Sequence, residues 1–129
     1  YENVLQSISK VYKNKNIKIL FGAGGNRDKS KRPEMAKAIE RFATQCYLAP
    51  DNPRFENIHD INSDVIKGFS KNIFQVFDKR ENALKAALSE MSSNDILIIF
   101  GKGIEEYQDI NGERIFYSDR EIIRDFYES

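Results

Sequence analysis

Two short segments place opposite charges where they could hold the free end of an amino acid. Arg54 closes Asp51-Asn52-Pro53-Arg54, and Glu105 closes Gly101-Lys102-Gly103-Ile104-Glu105. A guanidinium can grip a carboxylate through two parallel hydrogen bonds, and a glutamate can pair with an ammonium group. Asn52 adds an amide beside Arg54, and Gly101 lets backbone approach a ligand closely. On the residues alone each segment reads equally as structure. Asn52 and Pro53 both favour a turn, and Glu105 fits an exposed charge on a glycine-containing loop.

The segment Gly22-Ala23-Gly24-Gly25-Asn26-Arg27-Asp28 is the other glycine-rich stretch. It is neither G-x-x-x-x-G-K-[ST] nor G-x-G-x-x-G, since Arg27 stands where the third glycine would be. Arg27, Lys29, Lys31 and Arg32 follow at once, so anion binding and a solvated charged loop are both open. His59 is the single histidine and Cys46 the single cysteine. That excludes the usual zinc ligand sets and leaves His59 as a surface residue and Cys46 as a small buried hydrophobe. Asp78 with Glu81, and Ser118 with Glu121, have the spacing of helix caps.

Twenty Lys and Arg balance twenty Asp and Glu over 129 residues, so no overall basic field draws the chain to nucleic acid or an anionic membrane. The length suits one domain. No apolar run is long enough to span a bilayer and no signal-peptide pattern opens the chain, which is read as cytoplasmic. It starts at Tyr1 inside a helical pattern and is read as a piece of a longer protein, incomplete as an enzyme.

These loops need a frame that brings them to one edge. Val4, Leu5, Ile8, Val11 and Tyr12 recur at helical spacing, then Ile17 to Phe21 forms a dense apolar run. The alternation continues with a helix over 33–42, a strand over 45–49, a helix over 58–69, a strand over 73–77, a helix over 80–91 and a strand over 96–100. The last of these is apolar throughout, as expected of a central strand covered on both faces. Asn111-Gly112 signals a β-hairpin joining 107–109 to 114–117, and Ser118 to Glu121 opens a final helix. The fold class is therefore α/β, a doubly wound, mostly parallel, Rossmann-like sheet with helices on both faces and a C-terminal hairpin. The segments just after the four strands, 22–28, 50–54, Asp78-Lys79-Arg80 and 101–105, therefore all lie at the carboxyl edge of the sheet.

FGAGGNRDKSKRP (21–33), DNPRFE (51–56), GKGIEEYQ (101–108) and YSDRE (117–121) resemble, in order and across essentially the whole chain, the C-terminal domain of the Mur ligases of the UDP-N-acetylmuramoyl-tripeptide synthetase type. DNPR is the most specific of these, since it looks like the version that accompanies meso-diaminopimelate. Lysine-adding relatives usually lack the arginine. The resemblance implies an ATP- and Mg2+-dependent ligase of peptidoglycan synthesis. Its N-terminal domain holds a UDP-sugar, its central domain carries the ATP P-loop, and residues 1–129 are the amino-acid-binding domain.

It also implies that ATP activates the side-chain carboxylate of D-glutamate in UDP-N-acetylmuramoyl-L-alanyl-D-glutamate, which the amine of diaminopimelate then attacks. Arg27, Asn52, Arg54, Gly101 and Glu105 fall on the family's diaminopimelate-binding positions, with Asp51 shaping the turn. Asn26 and Ile104 depart from the GGDRD and GKGHE of many relatives. The fragment is expected to bind no cofactor by itself and to be a monomer with no nucleic-acid or membrane partner. A receiver-type signalling module is the rival from another class, but it should carry acidic residues after its first strand, where this chain has glycine. A folylpolyglutamate synthetase-type ligase domain fits DNPR and GKGxE less well.

Overall fold

Apolar side chains alternate along β1 (Asn16–Phe21), and the alternation decides what covers each face of the sheet. Ile17, Ile19 and Phe21 pack with Cys46 and Leu48 of β2 (Gln45–Leu48), while Leu20 packs with Tyr47 and Ala49 on the opposite face. A computed structural model describes residues 2–25, 29–101 and 107–128. Its main sheet is parallel throughout, in the order β3-β2-β1-β4, with β3 at Phe74–Val76 and β4 at Asp95–Ile99.

Five helices surround it: α1 (Glu2–Val11), α2 (Arg32–Glu40), α3 (Ile58–Ile66), α4 (Arg80–Ser89) and α5 (Asp119–Glu128). The first face is covered by Leu5 and Ile8 of α1, Ala36 and Ile39 of α2, and Ile61 and Val65 of α3. The second is covered by Ala83, Leu84, Ala87 and Leu88 of α4 and by Ile122 and Ile123 of α5. This split follows from right-handed crossovers. The steps from β1 to β2 to β3 run one way across the sheet, the step back to β4 runs the other way, and so its helix must cross the other face. The strand order differs from the 2-1-3-4-5 order of flavodoxin-like and receiver folds, which weighs against the signalling rival.

The four strands anticipated from the sequence are all present, and so is the hairpin, β5 (Tyr107–Ile110) paired antiparallel with β6 (Glu113–Phe116). Asn111 and Gly112 have φ of 53° and 81°, the positive pair that a two-residue turn between twisted strands demands. Arg114 lies 4.5 Å over the Tyr107 ring and fastens the two strands. Ser118 caps α5 through its hydroxyl, which accepts from the Glu121 amide at 3.2 Å, as its spacing indicated.

Two expectations are corrected. The apolar run of β4 is not central: among the described residues it pairs only with β1 and forms an edge. Its composition reflects helices on both faces, with Ile98 and Phe100 on the first core and Leu97 and Ile99 on the second. Asp78 does not cap α4 either. The helix begins one residue later, from Lys79 with no side-chain cap bond, and Asp78 stays exposed, 3.7 Å from the equally exposed His59. The cap of α3 is instead Asn57, whose side chain accepts from the amides of His59 and Asp60.

Cys46 is fully buried, and burial pushes its thiol up to about 12. No helix among the described residues is long and apolar enough to cross a membrane.

At the amino end of the sheet, the Asp95 carboxylate accepts from the Ser92 amide at 2.9 Å and pairs with Lys18 Nζ at 3.1 Å; it also accepts from Asn16. The Ser92 amide and the lysine hold it well below the usual carboxylate range. A lowered folded-state pKa contributes stability above the unfolded value of about 3.9, and that contribution is lost as pH falls toward the folded value. Asp95→Asn is therefore expected to lower stability at neutral pH and to flatten its decline between about pH 5 and pH 2. Urea unfolding followed by circular dichroism at several pH values checks this; parallel profiles for the two proteins would contradict it.

Candidate functional site

Beyond their last paired residues, β1 and β2 continue side by side into the loops that carry the glycines and the Asp51–Arg54 turn. Ala49 donates to the Phe21 carbonyl, Asp51 to Ala23 at 3.2 Å, and Gly25 to Asn52 at 2.7 Å. Side chains have no room in this seam. A methyl group on Gly22 would stand 1.6 Å from the Ala49 carbonyl oxygen, and one on Gly25 would stand 1.8 Å from that of Pro53. The glycines at 22 and 25 thus serve backbone contact between two loops.

The turn is held from the other side by the hairpin. Gln108 Nε2 donates to the Asp51 carbonyl at 2.9 Å, and the Asp109 amide donates to Asn52 Oδ1 at 3.0 Å. The Arg54 amide donates to the Asp109 carbonyl at 2.8 Å, and the Asn111 amide to the Arg54 carbonyl at 2.6 Å, so Arg54 forms a bridge to Ile110. Fixing Oδ1 of Asn52 on a backbone N–H orients its side-chain amide.

Arg54 has φ of 55°, a left-handed conformation rare for a residue with a long side chain and held here by the backbone bonds on both sides. Its Nη1 donates to the carbonyls of Gly25 at 3.1 Å and Asn52 at 3.3 Å. Both bonds fall on one nitrogen, which leaves the Nε and Nη2 edge of the guanidinium outside them.

Gly101, just past β4, has φ of 116° and lies against the Asp51 carboxylate, 3.3 Å from where a methyl group at 101 would stand. The structure therefore brings together Asp51, Asn52, Arg54 and Gly101 out of the six residues singled out from the sequence. Arg27 and Glu105 lie outside the described residues.

Two arginines anchor these loops: Arg32, read from the sequence only as part of a basic loop, and Arg80, to which the sequence gave no role. Arg32 is buried, with its side chain 2% exposed. It grips both oxygens of Glu56 (2.6 and 2.8 Å), Asp64 (3.0 Å) and the Gly24 carbonyl (3.0 Å), tying the glycine loop to α3. The Glu56 hydrogen bond, outweighing burial, raises its pKa further. Arg80 is 1% exposed and grips both oxygens of Asp119 at 3.0 and 2.8 Å, while Nη2 also donates to the Phe100 carbonyl.

Burial alone would lower the Arg80 pKa, but Asp119, with help from Tyr117 and Asp51, raises it. Tyr117 in turn donates to Asp119 Oδ1 at 2.6 Å, and its own pKa is raised by burial and by that carboxylate. Both arginines are the first residues of their helices. The positive end of the helix dipole makes that an unfavourable place for a cation without an anionic partner. A cation at such a position was the one signal in the sequence that could have flagged them.

Residues 1–103 match the family model described as Mur ligase, glutamate ligase domain. The chain is 40% identical over 124 residues to the UDP-N-acetylmuramoyl-L-alanyl-D-glutamate--2,6-diaminopimelate ligase of Helicobacter pylori, a match covering 95% of this chain and 28% of that protein. It is 39% identical to the ligase of the same name from Aquifex aeolicus, over 96% of this chain and 26% of that one. A solved structure of a ligase of that name superposes with a TM-score of 0.88 at 32% identity, over 98% of this chain and 27% of that one. The chain thus spans just over a quarter of the length of the relatives it matches.

The Arg32 network yields a stability prediction. Removing one partner from a buried ion pair leaves uncompensated charge and costs about 3 to 5 kcal/mol, so Arg32→Ala should lose roughly that much. Lys31→Ala, one residue away and exposed, should stay within about 0.5 kcal/mol. Denaturant titration of both variants decides, and near-equal midpoints would return Arg32 to the solvated basic loop.

Proposed function

Because the chain belongs to the Mur ligase family and carries its glutamate ligase domain, we propose that it is the C-terminal, amino-acid-binding domain of the ligase that adds meso-diaminopimelate to UDP-N-acetylmuramoyl-L-alanyl-D-glutamate in peptidoglycan synthesis. The observation that carries this reading is the constrained Asp51–Arg54 turn. It fixes an arginine in a left-handed backbone conformation, with one edge of its guanidinium outside the internal bonds, beside Gly101 at the mouth of β4. A preorganised cation of this kind suits a carboxylate, and diaminopimelate differs from lysine by a carboxylate at its far end.

In this reading Arg54 and the Asn52 amide hold that far carboxylate, and Glu105 pairs with the neighbouring ammonium. Arg27 adds a second cation, Gly101 admits the ligand against backbone, and Asp51 keeps the turn in place. The work of this chain is to bind and orient the incoming amine toward the activated D-glutamate carboxyl, converting an encounter between two substrates into a step within one complex.

The chain has no Walker A sequence. We assign the activation of the acceptor, with the UDP-sugar site and the ATP P-loop, to portions of the ligase outside this chain. The setting is cytoplasmic, where nucleotide-linked precursors and ATP meet. Relatives named as diaminopimelate ligases across nearly the whole chain favour this reading over a folylpolyglutamate synthetase-type domain.

Two outcomes are expected. The isolated chain, given ATP, diaminopimelate and the UDP-linked dipeptide, should form no tripeptide product, as followed by chromatography. In the full-length ligase, hydrogen bonds to a charged group contribute about 1.5 to 3 kcal/mol. Arg54→Ala should therefore weaken diaminopimelate use roughly 10- to 150-fold at ~1.4 kcal/mol per decade, with far less effect on lysine. Steady-state kinetics with both amino acids test it, and an unchanged preference between them would reduce the turn to a structural feature.

A further inference from the structure

A charge held away from water is tolerated when the polar groups around it have partners, and Arg80 satisfies this on only part of its fork. Nε and Nη2 are engaged by Asp119 and the Phe100 carbonyl. Nη1 is buried, has no hydrogen-bond partner among the described residues, and lies toward the candidate site. A methyl group on Gly101 would stand 3.2 Å from Nη1 and 3.3 Å from Asp51 Oδ1, so the arginine, the glycine and the carboxylate meet at one point.

We propose that Arg80 is a positioning residue of the amino-acid site, setting the spacing between Gly101 at the end of β4 and the turn that carries Asn52 and Arg54. This rests on the reading of the Asp51–Arg54 turn and Gly101 as part of the diaminopimelate site. Arg80 reaches the end of β4 through the Phe100 carbonyl and the start of α5 through Asp119, and it faces the Asp51 carboxylate, whose charge helps raise its pKa. Its effect passes through Asp51, one residue before Asn52, and through Gly101, whose lack of a side chain admits Nη1 so near.

Two observations separate this role from a plain stability bridge. A cation at the first residue of α4 works against the helix dipole, so the helix itself gains nothing from it. The fork also joins segments following three different strands, β2, β4 and the hairpin strand β6, at the edge where the sheet opens. A lysine could pair with Asp119 but could not hold Asp119 and the Phe100 carbonyl while presenting a third nitrogen at Gly101.

Full-length ligase carrying Arg80→Lys is the test. The KM for diaminopimelate should rise roughly tenfold or more, within the ~100-fold that a displacement of about 1 Å can produce. The preference for diaminopimelate over lysine should shrink, while the KM for ATP stays within about twofold. A bridge that serves only stability would lower the melting temperature and leave both the amino-acid KM and the preference alone.

Tyr117→Phe removes only the hydroxyl that donates to Asp119, and should raise the diaminopimelate KM about fivefold, the effect of one hydrogen bond. A folded Arg80→Lys enzyme with wild-type KM and preference overturns the proposal. If Arg80→Lys does not fold, Tyr117→Phe with wild-type values overturns it equally. Arg54→Ala in the same assay keeps the two ideas apart. If it leaves the preference unchanged, the reading of the turn fails; if it alters the preference and the Arg80 and Tyr117 variants do not, only the role of Arg80 fails.

Discussion

The reversal of strand order at β1 is the constraint from which the rest of the molecule follows. Right-handed crossovers send α2 and α3 over one face and oblige α4 to return over the other. The carboxyl ends of β1 and β4 therefore lie side by side where the order reverses, the position at which open sheets of this kind place ligands. Asp51 reaches that edge from β2 and Gly101 from β4, and the two meet there. The hairpin, which adds no strand to the main sheet, braces the same edge by bonding to the Asp51–Arg54 turn.

Loops at such an edge have few apolar contacts of their own, and here charge and backbone hold them. Arg32 fastens the glycine loop to Glu56 and Asp64; Arg80 fastens the β4 end to Asp119. Buried ion pairs add little net stability compared with apolar packing, because desolvation offsets most of the attraction. What they do supply is direction, since a guanidinium fork fits one arrangement of carboxylates and carbonyls and few others. The two arginines thus fix the geometry of an edge that hydrophobic packing alone would leave loosely specified.

Much of this architecture was legible in the residues. Ile17 to Phe21 and Ile96 to Phe100 announced strands because helices cover both faces of each, and Asn111-Gly112 announced the hairpin because few residue pairs accept two positive φ values. The same logic misplaced β4, since an apolar strand covered by helices looks alike at the centre and at the edge. The Asp51–Arg54 turn was legible as chemistry, but its left-handed arginine was not, because that conformation comes from the contact with Asp109 and Asn111, more than fifty positions away. Arg32 and Arg80 were hidden for the same reason: their partners lie 24 to 39 positions along the chain.

Cys46 carries a consequence of a different kind. It is the single thiol, it lies between the sheet and the first layer of helices, and its proton is held up to about 12. Alkylating reagents and disulfides react with the thiolate, so the folded chain presents them with almost nothing to attack. Reaction must wait until the sheet opens far enough to wet β2 and return the thiol to its ordinary acidity. In this domain the rate of thiol labelling is thus a clock for opening of the core, built into the chain without any added probe.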